Sequence, residues 1–175
     1  MRALSLTIVI VLALLLSCTP TWSPPRIPAN ESPSKVFVCL DLPAPRVQAA
    51  AAAVELWDKS LSQWKHVVAV PGHVEPCTIW VHEVTEAYMD DEKAIAWVST
   101  IGGHEISMRR GRYEHDVTGI LLHELGHAFG AQHVPNTLMH PNWYPHAYVC
   151  PDATTVAQVA AWNKVNLSML SWCSP

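Results

Sequence analysis

Between residues 35 and 175 the hydrophobic positions follow two different periods, and their alternation predicts both strands and helices. Short apolar runs predict five strands, and longer stretches with an apolar side chain every three to four residues predict three helices. The predicted strands are 36–40, 67–70, 78–84, 94–99 and 105–109, and the predicted helices are 46–64, 116–129 and 153–170. This order of elements is that of a single α+β domain over residues 35–175.

The first 18 residues carry the pattern of an export signal. Arg2 precedes a run from Ala3 to Leu16 that is almost wholly apolar, but shorter than the roughly 20 residues of a stable membrane-spanning helix. Ser17 and Cys18 end the run, and this end resembles the signal of bacterial lipoproteins, in which the cysteine is lipidated. The sequence favours a lipid anchor at Cys18. Ordinary secretion with cleavage within 19–23 and an uncleaved anchor are the alternatives, and all three export the domain.

Residues 19–34 predict an extended tether between this signal and the domain. The segment contains five prolines and lacks apolar periodicity. Such a tether would let a lipid-anchored domain stand away from the membrane of a cell envelope.

Composition narrows the class of partner. Half of the 175 residues are hydrophobic, 15% are charged, and the formal net charge is -4. These values exclude nucleic-acid binding through a basic surface as the main function, and they argue against a disordered chain.

One cluster of polar residues lies on the second predicted helix and predicts a metal site. His123 and His127 are four residues apart, so they share one helix face with about 6 Å of rise between them. Glu124 lies beside that face, where it can hold a water molecule. Gly130 permits a turn that brings His133 to the same metal. Three neutral imidazoles with one open position are the arrangement of a catalytic zinc ion.

The segment 123–133, with the sequence HELGHAFGAQH, resembles the metzincin zinc-peptidase signature HExxHxxGxxH. The segment 138–141, with the sequence LMHP, resembles the Met-turn of the same clan. Within the clan, residues 126–130 and the short gap to Met139 are most similar to matrixin-like members.

The resemblance implies a metzincin-like (zincin) catalytic domain with a twisted, mixed five-stranded sheet, an active-site helix, a Met-turn and a C-terminal helix. It implies one zinc ion, and it assigns no calcium site. It also implies a cleft beneath the sheet, where an edge strand pairs with an extended protein or peptide substrate. The implied site residues are the zinc ligands His123, His127 and His133, the general base Glu124, and Met139 in the Met-turn.

Three further residues are candidates for the rim of the substrate cleft. His104 follows Gly102 and Gly103, which predict a turn. Tyr144 and Tyr148 follow the Met-turn, near the position where some clan members carry a tyrosine that assists the transition state.

Four cysteines remain if Cys18 is lipidated, and an even number in an exported domain favours disulfides. Cys150 and Cys173 bracket the last predicted helix, and Cys39 and Cys77 lie in or next to strands that would be neighbours in a metzincin sheet. We therefore favour the pairs 39–77 and 150–173, with free buried thiols as the alternative.

These observations predict an exported zinc metalloendopeptidase, expected to be monomeric, in which Glu124 activates a water molecule to hydrolyse peptide bonds. Two alternatives stay open. One is a non-catalytic envelope binding module stabilised by zinc, and the other is a hydrolase of cell-wall peptides.

Overall fold

A computed structural model of the protein describes residues 35–85, 94–99, 104–142 and 149–173. The export signal with Cys18, the tether 19–34, Tyr144 and Tyr148 lie outside the described residues.

Five strands form one mixed sheet in the order β2-β1-β3-β5-β4. Strand β4 runs antiparallel to β5, and the other neighbouring strands are parallel. The predicted α+β class and its five strands are confirmed, including the strand before the second helix. The strands are β1 (Lys35–Asp41), β2 (His66–Pro71), β3 (Ile79–Val84), β4 (Ala96–Ser99) and β5 (His104–Arg109).

Three α-helices accompany the sheet within the described residues, and two of them enclose the core. Helix α1 packs against β2 and α2, and α2 packs against β4. Trp57 of α1 is fully buried between these elements; its indole N–H donates to the Leu122 carbonyl at 2.9 Å, and its ring meets Phe129 edge-on. The helices are α1 (Ala44–Leu61), α2 (Val117–Ala128) and α3 (Ala153–Asn163).

Helix α1 begins earlier and ends earlier than the predicted range 46–64. Pro45 lies in its first turn, where a backbone N–H would have no helical acceptor, so proline is tolerated there. At the other end, the Leu61 carbonyl accepts hydrogen bonds from the amides of both Trp64 and Lys65, which closes the last turn. Trp64 still joins the core after the helix has ended.

The predicted last helix, 153–170, is wrong at its C-terminal end. Helix α3 stops at Asn163 because Lys164 adopts a left-handed conformation with φ 57°, and Val165 then donates to the Ala160 carbonyl. A short 3-10 turn, Leu167–Met169, follows. Leu170 is buried whereas Leu167 is exposed, so apolar residues beyond 163 contact the core from a folded-back segment, not from a helix face.

Two disulfides join distant parts of the chain: Cys39 with Cys77, and Cys150 with Cys173. These are the two pairs that the sequence analysis favours. The first links β1 to the start of β3, its neighbour in the sheet, and the second brackets α3. Disulfides persist in oxidising compartments, and they indicate an extracellular or otherwise exported protein.

Among the described residues, no helix combines the length and the apolar character needed to cross a bilayer.

Candidate metal centre

Helix α2 carries the first two histidines, His123 and His127, and is largely buried. Asp116 begins the helix, because its carboxylate accepts a hydrogen bond from the Gly119 amide at 2.9 Å. Ten of the twelve residues of α2 are buried, among them His123 and Glu124. The polar side chains of this helix are therefore held in the protein interior, where charge is costly.

The chain reverses direction at Gly130, immediately after α2. Gly130 has φ +103°, a conformation that residues with a Cβ rarely adopt. A Cβ built at this position would lie 2.2 Å from the Trp162 ring of α3, so close packing also requires glycine. The reversal is completed by a hydrogen bond of 2.8 Å from the Ala131 amide to the Gly126 carbonyl.

This reversal brings His133 to His123 and His127, as predicted. One ring nitrogen from each histidine lies within 4.8 Å of those of the other two, and the Nε2 atoms of His127 and His133 are 3.0 Å apart. In the part of the chain that the structure describes, no other histidine, cysteine or carboxylate joins this cluster.

Backbone carbonyls orient two of the three rings. His123 Nδ1 lies 2.8 Å from the Leu138 carbonyl oxygen, and His127 Nδ1 lies 3.0 Å from that of Ala131. A carbonyl only accepts hydrogen bonds, so each Nδ1 carries the proton and donates it. The Nε2 lone pairs then remain for a metal, which is the usual way in which a protein prepares histidine ligands.

Burial keeps the imidazoles neutral. It lowers the pKa of His123 to about 4 and that of His127 to about 3, and it also lowers the pKa of the more exposed His133. Neighbouring histidines add to each decrease, because a second positive charge would be close by. At neutral pH all three rings are therefore in the form that binds a metal.

Burial has the opposite effect on Glu124. Removal from water disfavours its carboxylate and raises its pKa to about 8. A carboxyl group with a pKa near neutrality can both accept and return a proton, which is the property that a general acid–base residue needs.

Met139 packs directly beneath the helix that carries the histidines. It is fully buried, and a Cβ built on Gly126 would lie 2.5 Å from its Sδ atom. Its backbone is held on both sides: Met139 N donates to Thr137 Oγ1 at 3.1 Å, and Met139 O accepts from the Val134 amide at 2.8 Å. Gly126, which lies between the two helical histidines, thus makes room for the Met139 side chain.

Asp152, which no sequence pattern linked to the site, connects this turn to α3. Its Oδ2 atom accepts from the Leu138 amide at 2.8 Å and from the Thr155 hydroxyl at 2.7 Å. Its Oδ1 atom caps α3 through the Thr154 amide. An aspartate directly before the first helical residue, Ala153, is a recognisable helix N-cap, but its bond to residue 138 depends on tertiary structure.

Of the three residues predicted for the rim of the substrate cleft, the structure describes His104. His104 begins β5 opposite Ile79 and is not a member of the three-histidine cluster. Burial, with a smaller contribution from Lys65, lowers its pKa. Tyr144 and Tyr148 are outside the described residues. His140, next to Met139, lies close enough to His123 and His133 to influence the pKa of both.

No protein-family model matches this chain, and no curated protein sequence matches it. Among solved structures, the chain is similar to high choriolytic enzyme 1 of the medaka fish Oryzias latipes, a hatching enzyme described as a zinc-protease. The two are 14% identical, the match covers 74% of this chain and 90% of that chain, and the TM-score is 0.45. A likeness of this degree does not assign a family to the chain.

The contact between Gly126 and Met139 predicts the effect of adding one methyl group. Gly126→Ala should displace Met139 and lower the free energy of unfolding by about 1–3 kcal/mol, because the new Cβ overlaps the sulfur. Urea denaturation would measure the loss. In the double variant Gly126→Ala/Met139→Ala the overlap is absent, so the two losses should be less than additive. Strictly additive losses would contradict the contact.

The raised pKa of Glu124 predicts that this group makes the metal-free protein less stable as the pH rises. Its folded-state pKa of about 8 exceeds the ordinary value of 4.5, so between these values the folded state binds more protons than the unfolded state. Stability from this group therefore decreases as the pH rises through that range. Glu124→Gln removes the ionisable group, and its stability advantage over the wild type should grow between about pH 5 and pH 8.

The measurement is urea denaturation of both metal-free proteins at several pH values. His123 and His127 titrate in both proteins, so their contribution cancels in the difference. Glu75→Gln, a change at an exposed carboxyl group, is the matched control. If the difference in free energy of unfolding between the wild type and Glu124→Gln stays constant with pH, the pKa of Glu124 is not raised.

Proposed function

We propose that this protein is a zinc-dependent endopeptidase of the metzincin type. The observation that carries the proposal is the convergence of three neutral imidazoles, with the buried Glu124 next to His123 on the same helix. A purely structural zinc site is usually closed by a fourth protein ligand, whereas a catalytic site keeps one position open. Among the described residues the cluster offers three ligands.

The donor set fits zinc. Imidazole nitrogens suit this ion, and two of the three rings have the backbone hydrogen bonds that zinc ligands typically make through the second nitrogen. His123, His127 and His133 would hold the ion. When bound, zinc acts as a Lewis acid that makes water acidic enough to be deprotonated near neutral pH.

Glu124 would move the proton. Its carboxylate accepts a proton from the attacking water molecule as the C–O bond to the peptide carbonyl carbon forms. The same group then donates that proton to the amide nitrogen as the C–N bond breaks, so that one residue serves as base and then as acid.

The sheet offers a place for the substrate. Strand β4 lies at the edge of the five-stranded sheet, and α2 packs against it, so this edge adjoins the helix that carries His123 and His127. An edge strand has backbone groups that can pair with an extended peptide. We propose that a protein or peptide substrate binds as an additional strand beside β4.

Substitution of Glu124 tests the chemistry separately from metal binding. Glu124→Gln should retain zinc near one equivalent and lose peptidase activity by at least about a hundredfold, because the proton carrier is gone. Zinc content would be measured by elemental analysis and activity by cleavage of a peptide library. Chelation should abolish wild-type activity, and added zinc should restore it.

His115→Ala is the matched control, because His115 is exposed and outside the cluster. A zinc-loaded wild type that cleaves no member of the library would favour the zinc-stabilised binding module. Cleavage limited to cell-wall peptides would favour the hypothesis that the protein is a hydrolase of cell-wall peptides. A Glu124→Gln variant with wild-type turnover would exclude the mechanism.

We further propose that the exported domain is anchored to a bacterial membrane through a lipid on Cys18 and acts as a monomer. The support is the apolar run that ends in Ser17 and Cys18, followed by the proline-rich tether 19–34. In a bacterial host, Cys18→Ala should lose labelling by an alkyne fatty acid and leave the membrane fraction, whereas Ser17→Ala should keep both. Equal labelling of Cys18→Ala and wild type would exclude the anchor.

A further inference from the structure

A concave region lies on the face of the sheet that α1 and α2 do not cover. The side chains of Val81, Ile106 and Val98 point toward the helices and belong to the core. Because side chains alternate along a strand, their neighbours His82, Ser107 and Trp97 point to the opposite face. There they line a cavity of about 660 Å³, open to solvent, together with Trp80, Glu105 and Ser99.

The strand register gives this cavity the shape of a slot. Ser107 on β5 is directly opposite His82 on β3 and directly opposite Trp97 on β4. Neighbouring strands are about 4.8 Å apart, so His82 and Trp97 stand on backbones separated by about 10 Å. Only the short side chain of Ser107 lies between them. The space between His82 and Trp97 is wide enough for one ring-shaped group.

One wall of the slot is a stacked column of rings. The ring centroid of Trp80 lies 4.0 Å from that of His82 and 4.8 Å from that of His73, and the three rings are nearly parallel. Trp97 forms the opposite wall. Because Trp80 and His82 stack on each other along β3, this column presents ring edges to the slot, and Trp97 is the aromatic side chain on which a ligand ring could stack.

Polar groups form a connected network inside the slot. His82 Nε2 lies 2.6 Å from Glu105 Oε1 and 3.2 Å from Ser107 Oγ. Glu105 is opposite Ser99 on β4, which places a carboxylate and a second hydroxyl at one end of the slot. Such a set provides both hydrogen-bond donors and acceptors to a ligand that is rich in hydroxyl groups.

The charges of the slot favour a neutral ligand. Glu105 is paired with an imidazole, and the carboxylate of Glu83 at the rim is bound by the guanidinium groups of Arg46 and Arg110. Among the described residues that line the slot there is no group of cations that would bind an anion, and the Glu105 carboxylate is engaged by the His82 ring at 2.6 Å. An uncharged ring with an apolar face and polar edges matches the indole of Trp97 and the polar groups of His82, Glu105 and Ser107.

We propose that this slot binds a neutral saccharide, with one sugar ring stacked on Trp97 and its hydroxyl groups bonded to Glu105, His82 and Ser107. The slot and the histidine cluster use different residues, and the proposal does not depend on peptidase activity. A cell-wall strand and a protein-linked glycan both present this chemistry, and the titrations below distinguish the two sources.

The test is calorimetric titration of the full-length protein with neutral oligosaccharides. Chitohexaose represents an N-acetylated cell-wall strand, and a mannose pentasaccharide represents a protein-linked glycan. We expect at least one of them to bind, and Trp97→Ala to weaken that binding about tenfold through loss of the stacking surface. Glu105→Ala should also weaken it, and Trp97→Phe should restore most of the affinity because a flat ring is retained.

Trp172→Ala is the matched control, since Trp172 is exposed and lies outside the slot. Its affinity should equal that of the wild type, and binding should change little between about 0.05 and 0.5 M salt, because the ligand is uncharged. The proposal is overturned if neither saccharide binds, or if Trp97→Ala binds as well as wild type. Preferential binding of a heparin hexasaccharide or of an Ala-Phe-Ala peptide would also overturn it.

Discussion

The reversal of the chain at Gly130 is the constraint on which the rest of the metal centre depends. The helix supplies two ligands on one face, and a third can reach them only if the chain turns back at once. A positive φ makes that turn possible, and the Trp162 ring occupies the space that any larger side chain would need. The same small region therefore joins the histidine cluster to α3 and to the hydrophobic core.

Burial then gives the site its chemical character. A single physical cause, removal from water, keeps His123 and His127 neutral and raises the pKa of Glu124. These shifts oppose stability, because each group would be charged at some accessible pH in the unfolded chain. Packing around Trp57 and Met139 offsets that cost, so the core is what allows a polar, proton-accepting helix to lie inside the domain.

The elements with strong local signals were predictable. The strands have short apolar runs, and Asp116 and Gly130 mark the ends of α2 by known cap and turn preferences. The end of α3 was not predictable, because apolar residues at 165, 167 and 170 continue the helical spacing while Lys164 leaves the helix. The register that places Ser107 between His82 and Trp97 likewise depends on which strands become neighbours, and no local pattern encodes that choice.

The sequence by itself determined which residues can bind a metal, because the spacing of His123, His127 and Gly130 is a local property of one helix and its turn. It also determined the α+β class through the two hydrophobic periods. Only the tertiary structure decided that the Leu138 carbonyl orients His123, that Met139 fits against Gly126, and that Asp152 links the turn to α3. These contacts join residues that are distant along the chain, and they exist only after the core has packed.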